Sequence, residues 1–269
     1  MKNLNSFPFI IGIYVSIQVI GLFVGYDLIG FLGEHPEYRS FEDPDDPVVS
    51  WQLLLYILVM TGLMLLLIKY KLDIFIQILM SIALIFGMVI TFQTFIGFNL
   101  GVVFALALFA VNFKIESRAL KNITLIFVIS GIGAYLGANV GVIPCLIFLI
   151  LLSIYDVIAV FGTKHMITLA DEGKGRFPFM FTIPFGKGEM EIGTGDFVVP
   201  LMFSVSLLAE YGDLGLSYAI SAALGGLIGA FMLLVYIMRG GRQALPALPP
   251  IAAGLIAGFV FALFMFPKV

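Results

Sequence analysis

The stretch "LSIYDVIAVFG", residues 152–162, carries one charged side chain, Asp156, in an apolar pattern that is typical of a helix. A carboxylate inside the hydrocarbon region of a membrane costs about 2.5–3.5 kcal/mol on insertion scales, so such residues usually serve a function. A second stretch, "EIGTGDFVVPLMF" at residues 191–203, places Asp196 at the start of another long apolar run. The two acids therefore predict a functional site between membrane-spanning helices.

The composition of the whole chain is that of a polytopic membrane protein. Of its 269 residues, 61% are hydrophobic and 12% are charged, with a mean hydropathy of +1.11. Soluble domains are about 45–50% apolar and about 25% charged. The net charge of −3 and the absence of a basic block argue against a nucleic-acid partner. The apolar run that starts at Phe7 is longer than a signal-peptide core, so we expect it to be retained as a first helix.

Nine apolar segments are long enough to be membrane-spanning helices, each of which needs about 20 residues. They lie at roughly 8–32, 51–68, 74–92, 95–113, 122–138, 141–162, 193–210, 215–238 and 246–266. The prediction is an all-α protein with one integral-membrane domain over residues 1–269. In this domain, helices 1–6 occupy about 8–162, a cytoplasmic loop about 163–192, and helices 7–9 about 193–266.

The distribution of basic residues predicts the orientation of the chain. With the N-terminus in the cytoplasm, all Lys and Arg residues except Arg39 and Lys268 fall on the inner side. Cytoplasmic loops of membrane proteins carry the excess of positive charge. We therefore expect a multi-pass protein of the cell membrane with a cytoplasmic N-terminus and an external C-terminus.

This topology places the two acids at a similar depth, near the cytoplasmic ends of helices 6 and 7. Two carboxylates that approach closely cannot both ionise readily, so they share a proton and titrate as a pair. One can then act as a general base on water while the other, protonated, polarises a peptide carbonyl. Gly193 and Gly195 permit close approach of another backbone and loosen the start of helix 7.

The residues also allow other interpretations. Asp196 taken alone fits a first-turn acid at a helix N-terminus. Intramembrane acids also form proton relays and ion sites, so a proton-coupled transporter or an ion channel is the alternative function. That alternative predicts acids spread along a pathway, whereas the acids well inside these spans lie at one level. The chain has no HExxH motif, so a zinc protease is not indicated.

Helix 9 opens with the proline-rich string "ALPALPPIAAG", residues 244–254. One proline is explained by a helix start, where its missing N–H is not needed. Pro246, Pro249 and Pro250 together exceed that requirement. Irregular backbone at membrane depth is tolerated where protein buries it or water reaches it, so this segment is expected to line the same wet cavity as the acids.

Three motifs in this order resemble those of the presenilin and signal peptide peptidase family of GxGD intramembrane aspartyl proteases. They are "YD" at Tyr155-Asp156, "GTGD" at Gly193 to Asp196, and "PAL" at Pro246 to Leu248. They fall on predicted helices 6, 7 and 9, which is the order in that family. The longer strings "LSIYDVIAV" and "PALPPIAAG" are most similar to presenilin, and the compact chain is most similar to a prokaryotic, archaeal homologue.

The resemblance implies that Asp156 and Asp196 are the catalytic pair. It gives the surrounding motif residues secondary roles: Tyr155, Gly193 and Gly195 as active-site support, and Pro246, Ala247 and Leu248 as substrate-binding residues. It implies that single-span transmembrane proteins are cleaved within the lipid bilayer, without a cofactor or a metal. The sequence indicates no need for accessory subunits and leaves the formation of homo-oligomers open.

The segment between helices 6 and 7 differs from presenilins. It has only about 30 residues, with no obvious counterpart of the region that presenilins cut during maturation, so the sequence leaves autoproteolysis open. Within it, Phe177 to Phe185 is aromatic and holds two prolines. This pattern fits an interfacial loop or an extended segment that pairs with an unwound substrate as an added strand. The triplet "NIT" at Asn122 matches a glycosylation pattern but lies at the predicted cytoplasmic face.

Overall fold

The computed structural model describes residues 6–115, 117–163, 180–185, 188–239 and 245–267. Within these residues, nine long α-helices contain the apolar segments. They are α1 Ser6–Glu34, α2 Val48–Lys69, α3 Asp73–Ile96, α4 Phe98–Lys114, α5 Arg118–Ala138, α6 Val142–Ile158, α7 Gly195–Glu210, α8 Gly215–Met238 and α9 Leu248–Met265. The nine predicted helices are confirmed, and their ends differ from the predicted ones by about one turn at most.

Seven of these helices are long and apolar enough to cross a membrane. The other two are α4, with 17 residues, and α7, with 16. At about 1.5 Å per residue both are shorter than a hydrocarbon core of about 30 Å. Seven helices therefore identify the chain as a multi-pass membrane protein.

Helix α7 lies at the centre of the bundle. Every side chain from Val199 to Leu207 is buried, and the helix packs against α1, α5, α6, α8 and α9. Glycines on two neighbours allow this approach: Gly21 of α1 and Gly133 of α5 both lie against Leu201. A helix that is apolar around its whole circumference is typical of the core of a large protein or of a membrane span, and the neighbours of α7 give it the first of these surroundings.

Helices α8 and α9 pack with their backbones in near contact. A Cβ atom added at Gly225 would collide with the carbonyl oxygen of Gly254, and one added at Gly229 would collide with that of Pro250. Small residues at such spacings let two helices approach closely, which gains van der Waals contacts that side chains would prevent. The packing fixes the position at which α9 begins, beside α8.

A two-stranded antiparallel hairpin adds to the predicted all-α fold. Strand β1 is Met180–Phe185 and strand β2 is Gly188–Gly193, with Thr182 opposite Glu191. The hairpin lies inside the segment predicted as a loop, 163–192, of which residues 164–179 and 186–187 are outside the described residues. Gly193 ends β2 and α7 begins at Gly195, two residues after its approximate predicted start at 193.

One face of this hairpin is apolar and packs on the helices. Phe181 and Ile183 are fully buried in a cluster with residues of α1, α5 and α7, and Ile192 packs against the same cluster. The alternate positions of β2 include Glu189 and Glu191, which are exposed. Because successive side chains of a strand point to opposite faces, this alternation is the signal of a half-buried strand. Of the two interpretations of 177–185, an interfacial loop or an extended segment, the extended one is confirmed for 180–185. Residues 177–179 lie outside the described residues.

The segment between α1 and α2 holds the first turn of α6. The backbone N–H of Gly141 donates to the Pro44 carbonyl at 2.8 Å, and the Ser40 N–H donates to Asn139 Oδ1 at 2.8 Å. The Ser50 hydroxyl of α2 donates to the Pro144 carbonyl, also at 2.8 Å. These contacts fix the end of α6 that lies opposite Asp156.

The close contact of α8 with α9 can be tested with one methyl group. We expect Gly225→Ala to lower the stability by about 1–3 kcal/mol, because the added Cβ meets rigid backbone that cannot repack. The matched control is Gly62→Ala on α2, where no atom lies within 4 Å of the added Cβ. Thermal unfolding in detergent would measure both. Equal stabilities of the two variants would contradict the close packing.

Candidate active site

Asp156 lies near the C-terminal end of α6 and is buried, with 9% of its surface exposed. Directly after Ile158 the helix continues as a π-helical turn, Ala159–Thr163. Such turns are rare and occur frequently at functional sites. The Oδ2 atom of Asp156 accepts a hydrogen bond from the backbone N–H of Leu248, at 3.1 Å. The "YD" and "PAL" motifs are therefore in direct contact.

The prolines of α9 explain why this contact forms. The first N–H groups of a helix have no partner within the helix. At the start of α9, Pro249 and Pro250 have no N–H at all, so Ala247 and Leu248 carry the N–H groups that need an acceptor. Asp156 interacts with both. The carboxylate thus caps the helix from outside, at the end where the helix dipole favours negative charge.

Asp196 lies in the first turn of α7 and is half-buried. Strand β2 ends at Gly193, a turn follows at Thr194, and the helix begins at Gly195. A Cβ atom at Gly193 would lie 3.8 Å from Asp196 Oδ2, so the strand end passes close to this carboxyl group. The carboxyl groups of Asp196 and Asp156 are near enough to interact electrostatically.

A cavity of about 210 Å³ lies beside Asp196. Its walls come from five elements and are mainly apolar: Ile10 and Tyr14 of α1, Met190 to Gly193 of β2, Asp196 and Phe197 of α7, Leu227, Ala230, Leu233, Leu234 and Ile237 of α8, and Leu245, Ala247 and Ile251 around the start of α9. Asp156 is not among these described lining residues. The cavity therefore reaches the pair of acids from the side of Asp196.

The other predicted site residues lie around this pair. Tyr155 is half-buried and packs against the apolar cluster that contains Leu248. Ala247 lines the cavity, and Pro246, just before it, is half-buried. Gly195 is exposed, and a Cβ atom there would meet no atom within 4 Å. The open space beside Gly195 leaves room for another chain next to Asp196.

Two aromatic residues of the site were not predicted. Tyr14 lines the cavity and donates its hydroxyl to the Ala223 carbonyl at 2.9 Å. Phe197 lies between two rings, with its centroid 6.4 Å from that of Tyr14 and 5.0 Å from that of Phe181. A tyrosine in the long apolar run of α1 only weakly indicates a site residue. The sequence shows neither which helix the tyrosine ring faces nor that a cavity exists.

Comparison with known proteins identifies the family of the chain. The model of the family described as "Signal-peptide peptidase, presenilin aspartyl protease" matches residues 11–268. The chain belongs to this family. The resemblance seen in the three motifs is thus confirmed, and this member of the family is an intramembrane aspartyl protease, an aspartic endopeptidase.

Two solved structures share the fold of this presenilin-family chain. One, a presenilin family intramembrane aspartate protease in the C222 space group, has a TM-score of 0.66 and 19% identity, covering 94% of this chain and 95% of its own. Another, in the P2 space group, has a TM-score of 0.66 and 23% identity, covering 93% and 96%. No curated protein matches the chain. The comparisons lend no support to the transporter alternative.

The capping role of Asp156 can be separated from its charge. We expect Asp156→Ala to be less stable than Asp156→Asn by about 1–3 kcal/mol, because only the amide retains an acceptor for the buried N–H of Leu248. Both variants are uncharged at this position, so the comparison isolates the hydrogen bond. Thermal unfolding would measure it. At the exposed Asp213, the same two substitutions should differ by less than about 0.5 kcal/mol.

Proposed function

We propose that Asp156 and Asp196 form the catalytic dyad that hydrolyses peptide bonds of single-span helical substrates inside the bilayer. The observation that carries this proposal is the meeting of α6, α7 and α9. Asp156 accepts the N–H of Leu248, and Asp196 faces the cavity beside the end of β2. The two acids come from different helices, and their carboxyl groups are near enough to interact electrostatically.

The two acids have different surroundings, which suggests different roles. Hydrogen bonds to a carboxylate favour its charged form, so Asp156 is placed as the general base. It takes a proton from a water molecule whose oxygen attacks the scissile carbonyl carbon, while Asp196 donates its proton to the carbonyl oxygen. The resulting diol collapses as the carbon–nitrogen bond breaks. Asp156 then passes its proton to the leaving nitrogen, and Asp196 recovers one from the diol.

A helical substrate must unwind before this chemistry, because its carbonyl groups are already hydrogen-bonded. The exposed N–H and C=O groups then need partners, since none is available in lipid. A strand edge beside the dyad supplies them through main-chain pairing. Strand β2 has this position, because Gly193 at its end lies next to the Asp196 carboxyl group.

The register of the hairpin shows which backbone groups of β2 can pair. Thr182 of β1 directs both its N–H and its C=O to the side chain of Asn122, and therefore away from β2. Thr182 and Glu191 thus form a pair without mutual hydrogen bonds. Glu191, like Gly193, then directs its own N–H and C=O to the outer edge of β2. We propose that an unwound substrate pairs with this edge as an added strand, and that this pairing positions its scissile bond at the dyad.

The membrane arrangement that we propose follows the charge pattern of the sequence. The chain acts as one integral-membrane domain with nine spans, a cytoplasmic N-terminus and an external C-terminus, in the cell membrane. The seven long helices account for most of the spans. Helix α7 spans inside the bundle, where its neighbours rather than lipid surround it. The hairpin and the dyad then lie toward the cytoplasm.

The dyad is tested by cleavage of a tagged single-span substrate in liposomes. We expect Asp156→Ala and Asp196→Ala each to lower kcat by about 10³-fold or more, because each carries one of the two proton transfers. An aspartyl-protease transition-state analogue should block the wild-type protein. The exposed acid Asp213, replaced by Ala, is the matched control and should retain activity. Cleavage by either dyad variant at the wild-type rate would refute the assignment.

The edge of β2 is tested by removing a single donor. Glu191→Pro deletes an N–H that points away from β1, so the hairpin is expected to persist, as prolines are tolerated on strand edges. We expect a fivefold to tenfold loss of cleavage, about the value of one hydrogen bond. Glu191→Ala keeps the N–H and should remain within about twofold of wild type. If the two variants cleave equally well, substrate does not pair at this position.

A further inference from the structure

The side chain of Asn122, in the first turns of α5, makes two hydrogen bonds to the backbone of one residue of β1. Its Nδ2 donates to the Thr182 carbonyl at 2.9 Å, and its Oδ1 accepts the Thr182 N–H at 3.2 Å. This is the pattern that a neighbouring strand makes with a residue of a β-sheet. A single carboxamide therefore takes the place of a third strand at the centre of β1.

The two edges of the hairpin consequently differ. On the outer edge of β1, Thr182 is occupied by Asn122, and the next outward position holds Pro184, which has no N–H to donate. On the outer edge of β2, the backbone groups that Glu191 and Gly193 direct away from β1 form no hydrogen bond with another described residue. An edge with vacant N–H and C=O groups accepts an added strand, whereas an occupied edge with a proline does not.

A second contact joins the same face of α5 to the hairpin. Arg118, one turn before Asn122, forms an ion pair with Glu189 of β2. Both side chains are exposed, and exposed ion pairs contribute little. The buried neighbours of Thr182, Phe181 and Ile183, fix the depth of β1, but apolar packing does not fix its backbone hydrogen bonds. Asn122 is thus the polar group that sets the register of β1 on α5.

We propose that Asn122 is a positioning residue of the protease: it closes the edge of β1 and holds the hairpin so that substrate adds to β2, next to Asp196. This inference rests on the proposed function of the β2 edge. The residue acts through Thr182 and touches neither the dyad nor the substrate. Its effect is therefore on the alignment of an unwound substrate, after the helical substrate has docked.

The first test compares Asn122→Ala with two control variants of the same helix. Asn122→Ala removes both hydrogen bonds, and we expect kcat to fall about tenfold with a change in KM below about twofold. Arg118→Ala removes only the exposed ion pair, and its effect should stay below about threefold. Thr124→Val removes a hydroxyl that bonds within α5, to the Leu120 carbonyl, and should leave kcat unchanged. Thermal unfolding of each variant would show whether the fold is intact.

A second variant separates hydrogen bonding from loss of volume. Asn122→Asp keeps the size and the acceptor, but its ionised carboxylate cannot donate to the Thr182 carbonyl. The quantity to follow is the ratio of its kcat to the wild-type kcat at the same pH. At neutral pH we expect the variant's kcat to be about tenfold lower than that of wild type. The ratio should rise toward one as the pH falls through the range where a carboxyl group is protonated and regains an O–H donor. A residue needed only for packing would show no such pH-dependent recovery.

Amide hydrogen exchange of residues 180–185 measures the contact between Asn122 and Thr182 in the absence of substrate. The Thr182 amide should exchange about fivefold faster or more in Asn122→Ala than in wild type or Thr124→Val. If the wild-type protein cleaves no helical substrate, the proposed function fails, while exchange at Thr182 still tests Asn122. If wild type and Asn122→Ala cleave with equal kcat, or if Asn122→Asp matches wild type at neutral pH, the positioning role is overturned.

Discussion

The backbone N–H of Leu248 donates to Asp156 where α6 meets α9, and the contact meets the needs of two groups at once. A carboxylate inside a membrane protein requires donors, and the proline-rich start of α9 has N–H groups that require an acceptor. Through α9 the contact extends to α8, whose glycines bring the two backbones together. The position of Asp156 is therefore tied to three helices rather than to its own helix alone.

Asp196 is positioned by different means. Its helix, α7, is buried along most of its length, so packing against five neighbours determines where its first turn lies. Phe197, the next residue, packs between Tyr14 and Phe181 and connects α7 to both α1 and the hairpin. One acid is thus oriented by hydrogen bonds and the other by packing. Such a combination leaves the second carboxyl group accessible from the cavity while the first is enclosed.

The parts of this structure that were predictable from sequence have local or compositional signals. Nine apolar runs predict nine helices, and the cost of a buried charge singles out Asp156. An extended segment was one of two interpretations of 177–185, but strand β2 and its pairing with β1 were missed, because the alternation in "GEMEIG" covers only a few residues in a segment with several glycines and prolines. The role of Asn122 has no local signal at all, since its partner, Thr182, is 60 residues away. Its sequence context suggests only a surface modification pattern.

The anchoring of α6 at one end has a mechanical consequence. Gly141 and Pro144, at the first turn, are held by the segment that precedes α2 and by Ser50, whereas the opposite end, after Asp156, continues into a π-helical turn. About 21 Å of helix separates Val142 from Asp156. A rigid rod fixed at one end converts a small rotation into a large displacement at the other. A tilt of about 5° about the fixed end would carry the carboxylate roughly 2 Å, which is comparable to the difference between a hydrogen-bonded and a separated pair of groups. The hydrogen bond from Leu248 to Asp156 opposes such a tilt, so the spacing of the two acids depends on contacts at both ends of α6.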